Sequence, residues 1–207
     1  MSFLNSVIAP YLLPSVLWRT SETEVHLTFD DGPHPVATPK VLDILRTRGI
    51  QATFFVVGQN VQLFPDIVRR AVHEGHVIGN HSRSHRSLLF KSSAIQREEI
   101  RSANTTIEGV TGQRPWLFRP PFGYFDHRTI RLAESEGLKV VMWDVNTRDF
   151  SHAHPKQIVR AVTRSVGQGS IILHHDNAAT APIIQEYLEP LLDLLLERGL
   201  HLSALTQ

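Results

Sequence analysis

The 207-residue sequence contains no cysteine, which excludes both a disulfide framework and a metal site built from thiolates. It has no basic run or stripe and a formal net charge of +1, so its electrostatics gives no indication of nucleic-acid binding. Tryptophan and tyrosine are scarce, with 3 of each, whereas histidine occurs 12 times. Much of the histidine clusters near strand-like segments, and we interpret this surplus as a sign of metal or proton chemistry.

A long hydrophobic run is also absent. Residues 1–18 carry no charge, but Pro10 and Pro14 interrupt them, so we predict no membrane span there. The stretch lacks the basic start of a secretory signal. We predict that residues 1–22 form an N-terminal segment packing on the domain, with a membrane-surface contact or a trimmed leader as alternatives. The cytoplasm and the cell envelope both stay open as compartments, and the sequence does not define an oligomeric state.

From residue 25 onwards, short apolar runs alternate with amphipathic segments, which favours parallel β/α units in one domain over 23–207. A barrel and an open doubly wound sheet both fit this alternation. Pro190 is expected to kink or divide the last helix. The predicted strands cover residues 25–29, 52–57, 76–79, 116–119, 139–144, 170–174 and 201–205, and the predicted helices lie near 39–49, 61–74, 93–109, 127–136, 155–166 and 182–198.

Polar side chains follow several of these strands at their carboxyl ends. That end of a parallel sheet is where β/α proteins build their active sites. Scattered structural polar residues would not share one end, so the pattern predicts a functional site there. The residues concerned are Asp30, Asp31, Asn80, His81, Arg119, Asp144, His174 and His175.

Two of these groups have the chemistry of a metal site. Asp30 and Asp31 are adjacent acids, and His81 and His85 are four residues apart, about one helical turn. One carboxylate and two imidazoles form a ligand set for a catalytic zinc ion, and cobalt or another divalent ion would also suit it. The second acid could then act as a general base on a water molecule. The alternative is that the acids cap a turn and the histidines are surface residues.

Two further segments indicate acid–base and oxyanion chemistry. Arg119 can hold a carboxylate by bidentate hydrogen bonds, and the rigid turn after it can present backbone N–H groups to an oxyanion. A histidine after the sixth strand could act as a general acid, with Asp149 fixing its tautomer. Alternation along the strand favours His174 as the core residue of the pair and His175 as the acid. A structural turn with a salt-bridging arginine is the alternative for Arg119.

Five segments, in this order, resemble the motifs of the polysaccharide deacetylases of carbohydrate esterase family four, the NodB homology domain. The first two are the most specific, and the last two are weak on their own. The segments are Thr28-Phe29-Asp30-Asp31-Gly32-Pro33, His81-Ser82-Arg83-Ser84-His85, Arg119-Pro120-Pro121-Phe122-Gly123, Asp144-Val145-Asn146-Thr147-Arg148-Asp149-Phe150 and Leu173-His174-His175.

The resemblance implies a distorted (β/α)7-type barrel and metal-dependent removal of N- or O-acetyl groups from a polysaccharide or oligosaccharide. It also implies a role for each matching residue. The catalytic base would be Asp30, oriented by Arg119. The metal ligands would be Asp31, His81 and His85, and the acid would be His175, supported by Asp149. A backbone N–H near Phe122 would hold the oxyanion, and Leu173 and Phe150 would form the apolar wall of the acetyl site.

The chain departs from the family pattern at three positions. Phe150 stands where the family usually has tryptophan, and Asn146 stands where it often has aspartate. Both departures bear on substrate preference more than on the chemistry. His174 stands where the family usually has an apolar residue, so the roles of His174 and His175 need to be distinguished.

Three functions fit these features. The first is a deacetylase acting on chitooligosaccharide, peptidoglycan glycan or acetylated xylan. The second is an amidohydrolase with the same metal set that acts on a small non-sugar amide. The third is a carbohydrate-binding module that has lost its chemistry, and the presence of both Asp30 and His175 speaks against it.

Overall fold

The central element of the fold is a six-residue strand, β1 (Val25–Asp30), whose residues are all buried. The computed structural model describes residues 13–151 and 154–206. The other strands of these residues are β2 (Thr53–Val56), β3 (Val77–Asn80), β4 (Leu117–Phe118), β5 (Lys139–Val140), β6 (Val145–Asn146), β7 (Ile171–His175) and β8 (Leu202–Ser203). They form one parallel sheet in the order β5-β4-β3-β2-β1-β7-β6, with β8 paired to the start of β1. The sheet curls into a half-barrel, so the predicted single-domain α/β architecture is confirmed.

Helices cover the outer face of this sheet. They are α1 (Ala37–Thr47), α2 (Gly58–Leu63), α3 (Pro65–His73), α4 (Ser93–Thr111), α5 (His127–Ser135), α6 (Pro155–Ser165) and α7 (Ile184–Glu197). The main apolar core includes Val25, Leu27 and Phe29 of β1, packed with leucines of α1 and α7. Because side chains alternate along a strand, Thr28 and Asp30 point away from these helices and into the interior of the half-barrel.

The prediction of one strand over residues 139–144 is wrong. Strand β5 ends at Val140, and β6 begins at Val145 on the opposite edge of the sheet. Arg119 gives a physical reason, since its guanidinium donates hydrogen bonds to the carbonyl oxygens of Val141 (3.3 Å) and Met142 (2.9 Å). Residues 141–144 thus run from one edge to the other across the open side of the half-barrel.

Two helix predictions also need correction. The predicted helix near 61–74 is divided into α2 and α3, because Phe64 leaves the helical conformation (φ −132°, ψ 55°) and Pro65 starts a new helix. Pro190 does not divide α7, which continues through it. Pro190 and Glu186 are both exposed, so the carbonyl group that loses its intrahelical partner belongs to the water-facing side of the helix.

The described part of the N-terminal segment contacts the edge of the sheet. The backbone of Leu17 donates a hydrogen bond to Val140 (2.8 Å) and accepts one from Met142 (2.7 Å), and Val16 and Trp18 are buried. Residues 1–12 lie outside the described residues, so the extent of the segment over residues 1–22 stays a prediction. Within the described ranges, every helix is too short or too polar to cross a bilayer.

Candidate active site

A buried ion pair joins the end of β1 to the residue that follows β4. Nη1 of Arg119 lies 2.7 Å from Oδ1 of Asp30 and 2.7 Å from the hydroxyl oxygen of Thr28. The guanidinium also lies over the ring of Phe55, 4.1 Å from its centroid. These contacts hold the carboxylate in one orientation, with Oδ2 of Asp30 3.7 Å from Nε2 of His81.

Asp31, His81 and His85 converge beside this pair. Oδ1 of Asp31 lies 2.9 Å from Nε2 of His85 and 3.5 Å from Nε2 of His81. Burial of Asp31 disfavours its charged form, but hydrogen bonds from both histidines outweigh burial and hold the pKa of this carboxyl well below its usual range. Asp31 is therefore ionised at neutral pH.

This donor set fits a divalent metal ion. One ligand atom from each of the three residues lies within 4.8 Å of the other two. Nδ1 of His81 lies 2.7 Å from the carbonyl oxygen of Arg119, which accepts its proton and leaves Nε2 as the ligand atom. Two imidazoles and a carboxylate are a ligand set of catalytic zinc, and the same donors accept other divalent ions.

Asp31 has a left-handed backbone (φ 80°) and is held by two asparagines that sequence reasoning missed. The side-chain amide of Asn60 donates to the carbonyl oxygen of Asp31 (2.8 Å), and that of Asn177 donates to Oδ2 of Asp31 (2.7 Å). The next residue is glycine, and a Cβ atom at Gly32 would clash with the carboxylate of the buried Asp176. The turn that presents Asp31 is thus fixed on both sides.

His175, the last residue of β7, pairs in register with Asp30 and faces the same cavity. Its Nδ1 lies 2.7 Å from Oδ1 of Asp149, and its backbone N–H donates to Oδ2 of Asp149 (2.8 Å). Burial lowers the pKa of His175, but the hydrogen bond and the charge of Asp149 outweigh burial and raise it to about 9. At neutral pH His175 is therefore protonated, with Nδ1–H bound to Asp149 and Nε2–H left for the cavity.

Asp149 is held by a further donor, Tyr187 of α7, which sequence reasoning also missed. The hydroxyl of Tyr187 donates to Oδ2 of Asp149 at 2.9 Å. His174 points the other way from His175, as alternation predicts, and is fully buried. Its ring stacks between Phe29 (5.0 Å between centroids) and Tyr187 (5.9 Å).

The site residues surround one cavity of about 390 Å³ at the carboxyl ends of the strands. Phe122 and Phe150 form its rim and are 57% and 48% exposed. The ring of Phe122 lies 4.6 Å from that of His85, and Phe150 meets His175 edge-on. Of the predicted site residues, Asp30, Asp31, His81, His85, Phe122, Phe150, Leu173 and His175 line this cavity, and Arg119 and Asp149 lie behind it. The prediction that Asp144 lies at this end is wrong, because its carboxylate accepts hydrogen bonds from Ser170 and from the backbone N–H of Ile171 at the opposite, amino end of β7.

Known proteins resemble this chain in sequence. The family model for polysaccharide deacetylase matches residues 19–141. A peptidoglycan-N-acetylglucosamine deacetylase from Bacillus cereus is 37% identical over 155 residues, which are 75% of this chain and 56% of the relative. A chitooligosaccharide deacetylase from Bradyrhizobium sp. is 37% identical over 153 residues, which are 73% of this chain and 70% of the relative. The chain thus spans little more than half the length of the first of these relatives.

Solved structures share the fold. The peptidoglycan N-acetylglucosamine deacetylase Bc1960 aligns with a TM-score of 0.90 and 30% identity over 95% of this chain and 94% of its own. A family 4 carbohydrate esterase from Streptomyces lividans, in complex with acetate, aligns with a TM-score of 0.81 and 35% identity over 89% and 93% of the two chains. A CE4 family pseudoenzyme from Bacillus anthracis aligns with a TM-score of 0.84 and 27% identity over 91% and 66%.

These similarities confirm the distorted barrel expected from the sequence motifs. The family model covers more than half of the chain, and relatives at 37% identity are matched over most of this domain. The chain therefore belongs to the polysaccharide deacetylases of carbohydrate esterase family 4, the NodB domain family.

Proposed function

We propose that this protein is a metal-dependent deacetylase that hydrolyses acetyl groups from an N-acetylated or O-acetylated polysaccharide or oligosaccharide and releases acetate. Chitooligosaccharide and peptidoglycan glycan are the substrates suggested by its relatives. One observation carries this proposal. Asp30 and His175 are register partners on neighbouring strands, and both line the cavity that holds the Asp31–His81–His85 cluster. Amide hydrolysis needs both a base for the water and an acid for the leaving amine.

Asp31, His81 and His85 would hold the divalent ion, for which zinc is our first expectation. When bound, such an ion polarises the acyl carbonyl group and lowers the pKa of water. Asp30, oriented by Arg119, removes a proton from the attacking water, whose oxygen adds to the acyl carbon. The bond from carbon to nitrogen then breaks, acetate leaves, and Nε2–H of His175 gives its proton to the sugar amine.

The oxyanion that forms during this reaction needs a hydrogen-bond donor. We assign that role to the backbone N–H of Phe122, where the backbone takes a left-handed conformation (φ 61°). The next two N–H groups are not free, because Gly123 donates to the Pro120 carbonyl and Tyr124 to the Pro121 carbonyl.

The acyl methyl group needs an apolar surface. Leu173 at the base of the cavity and Phe150 at its rim supply it. The exposed faces of Phe122 and Phe150 are suited to the apolar face of a sugar ring. Phe150 provides no N–H donor there, in contrast to a tryptophan.

The fold alone does not carry the activity, because a pseudoenzyme shares it. The proposal depends instead on the acid–base pair of this chain. A carbohydrate-binding module would need neither the ionised Asp31 between two imidazoles nor the histidine, His175, that Asp149 keeps protonated.

The test is acetate release from a panel of chitooligosaccharides, peptidoglycan and acetylated xylan. The protein is assayed as purified, after chelation, and after adding back zinc or cobalt, with Asp30→Asn as the inactive control. Metal-dependent release that the variant lacks would support the proposal. A folded, metal-loaded protein that releases no acetate from any of these substrates would refute it and direct attention to small amides.

A further inference from the structure

A chain of hydrogen bonds leads from the proposed acid into the core behind the cavity. Oδ1 of Asp149 accepts from Nδ1–H of His175 at 2.7 Å, and Oδ2 accepts from the hydroxyl of Tyr187 at 2.9 Å. The oxygen of Tyr187 lies 3.4 Å from Nδ1 of His174. His175 is thus connected to two fully buried residues, neither of which lines the cavity.

The direction of the first bonds follows from the charge of Asp149. Burial opposes its ionisation, but the hydrogen bond and charge of His175 outweigh burial and lower the pKa of this carboxyl, so Asp149 can only accept. Tyr187 must therefore donate to it. Burial raises the pKa of Tyr187 well above its ordinary value, so the hydroxyl keeps its proton.

The tautomer of His174 follows from its surroundings. Burial lowers the pKa of His174 to about 4, so the ring is neutral at neutral pH. Its Nε2 is buried and has no hydrogen-bond partner among the described residues, so a proton placed there would be an orphaned buried donor. The ring proton therefore lies on Nδ1, from which it is donated to the oxygen of Tyr187.

We infer that Tyr187 and His174 are positioning residues that hold Asp149 in place for the proposed acid, His175. The inference rests on the proposed function, in which His175 protonates the leaving amine. No proton needs to move along the chain. The hydroxyl of Tyr187 occupies Oδ2 of Asp149 and so keeps Oδ1 directed at Nδ1 of His175, and His174 keeps the hydroxyl turned towards Asp149.

Packing alone does not account for these polar atoms. Phenylalanine would fill the space of Tyr187, and an apolar side chain would suit the core position of His174. Buried hydroxyl and imidazole groups are costly unless they are hydrogen-bonded. Here His174 bonds to the hydroxyl of Tyr187, and that hydroxyl bonds to Asp149, the carboxylate that holds His175.

Removal of the Tyr187 hydroxyl should raise the pKa of His175. The positive end of the Tyr187 O–H dipole points at Asp149 and hence towards the imidazolium of His175. In Tyr187→Phe the carboxylate loses a donor, so its negative charge is less compensated and favours the imidazolium of His175 more strongly. The pKa of His175 should therefore rise by about 0.5 units. The other acids that face His175 across the cavity, Asp30 and Asp31, are unchanged in this variant.

The test is nitrogen NMR of the imidazole side chains during a pH titration, in zinc-free and in zinc-loaded protein. In the wild type we expect a neutral His174 with its proton on Nδ1. Tyr187→Phe should raise the pKa of His175. His174→Leu should shift it less, in the same direction, because its hydrogen bond is the longest of the chain. These readouts need no turnover, so they stay informative if the proposed deacetylase activity fails.

The matched control is Leu191→Val, which alters the same buried face of α7 without touching Asp149. It should lower the melting temperature and leave the pKa of His175 unchanged. In acetate release, Tyr187→Phe should lower kcat, leave KM unchanged and move the alkaline limb of the pH profile upwards. Any of three results would overturn the inference. These are a proton on Nε2 of His174, an unchanged pKa of His175 in Tyr187→Phe, and an equal pKa shift in Leu191→Val.

Discussion

Nη1 of Arg119 lies 2.7 Å from Oδ1 of Asp30, and the two side chains are only 0% and 5% exposed. This ion pair lies inside the half-barrel, with Arg119 fully buried and Asp30 reaching the cavity only by its edge. Arg119 also reaches Thr28 of β1 and the carbonyl oxygens of Val141 and Met142 beyond β5. It therefore combines the orientation of the proposed base with a structural role.

Arg119→Met should be strongly destabilising, because it leaves Asp30 buried without its partner. Breaking a buried pair costs about 3–5 kcal/mol. The control is Arg128→Met, which breaks an exposed pair with Asp126 and should cost about 0–1 kcal/mol. Urea denaturation measures both free energies of unfolding, and equal losses would contradict a special role for Arg119.

Asp30→Asn should keep the bound metal, lose most turnover and lower the stability, because Arg119 stays buried without a counter-charge. The amide can still accept from Arg119 but cannot take a proton from water. Loss of a general base lowers the rate by about 10²–10⁴-fold. Acetate release and metal content are measured on the same preparation, and a near-wild-type rate would show that Asp30 is not the base.

His81→Ala should weaken zinc binding, because one of the two imidazole donors is lost. We expect a loss in affinity of at least about 100-fold, since even indirect changes around a metal cost 10–100-fold. Calorimetric titration with zinc gives the dissociation constant, and His201→Ala, at an exposed position, is the control. Unchanged zinc affinity in His81→Ala would remove His81 from the ligand set.

His175→Ala should lower turnover far more than His174→Leu. The first variant removes the proposed acid, worth about 10²–10⁴-fold, whereas the second changes a residue that acts only through Tyr187 and Asp149. Single-turnover acetate release compares the two at neutral pH. The reverse ranking would exchange their roles.

Stability of the metal-free protein should fall as the pH rises from neutrality through about 9. The pKa of His175 is raised from 6.5 to about 9 in the folded protein. The protonated His175 therefore contributes its full share to the free energy of unfolding below pH 6.5, the pKa of the unfolded state. That contribution is lost as the pH rises through about 9. Urea denaturation across this range measures the decline. His175→Gln should remove that part of it, and an identical decline in the variant would contradict the assignment.

The sequence predicted most of the framework of the site, because its main signals are local. Asp30–Asp31 at a strand end and the His81–His85 spacing are visible in a few residues, and strand alternation separated His174 from His175. The meeting of these side chains could be predicted without long-range contacts, since parallel strands bring their carboxyl ends together.

What escaped prediction depends on contacts between distant segments. Residues 139–144 look like one strand, but Arg119, some 20 residues earlier in the chain, takes the carbonyl groups of Val141 and Met142. Tyr187 has the spacing of a core residue of an amphipathic helix, and nothing in that pattern shows that its hydroxyl meets Asp149. Asn60 and Asn177 likewise reach Asp31 from separate loops.

The open side of the half-barrel is spanned by a segment that Arg119 fastens to the central strand. One side chain thereby links the proposed base to the segment that closes the half-barrel. A descendant of this protein that abandoned catalysis could lose the proposed acid at position 175 and stay folded, but it would have to keep this arginine and a group at position 30 that accepts its hydrogen bond. Inactive copies would then keep Arg119 and differ from the enzymes at position 175.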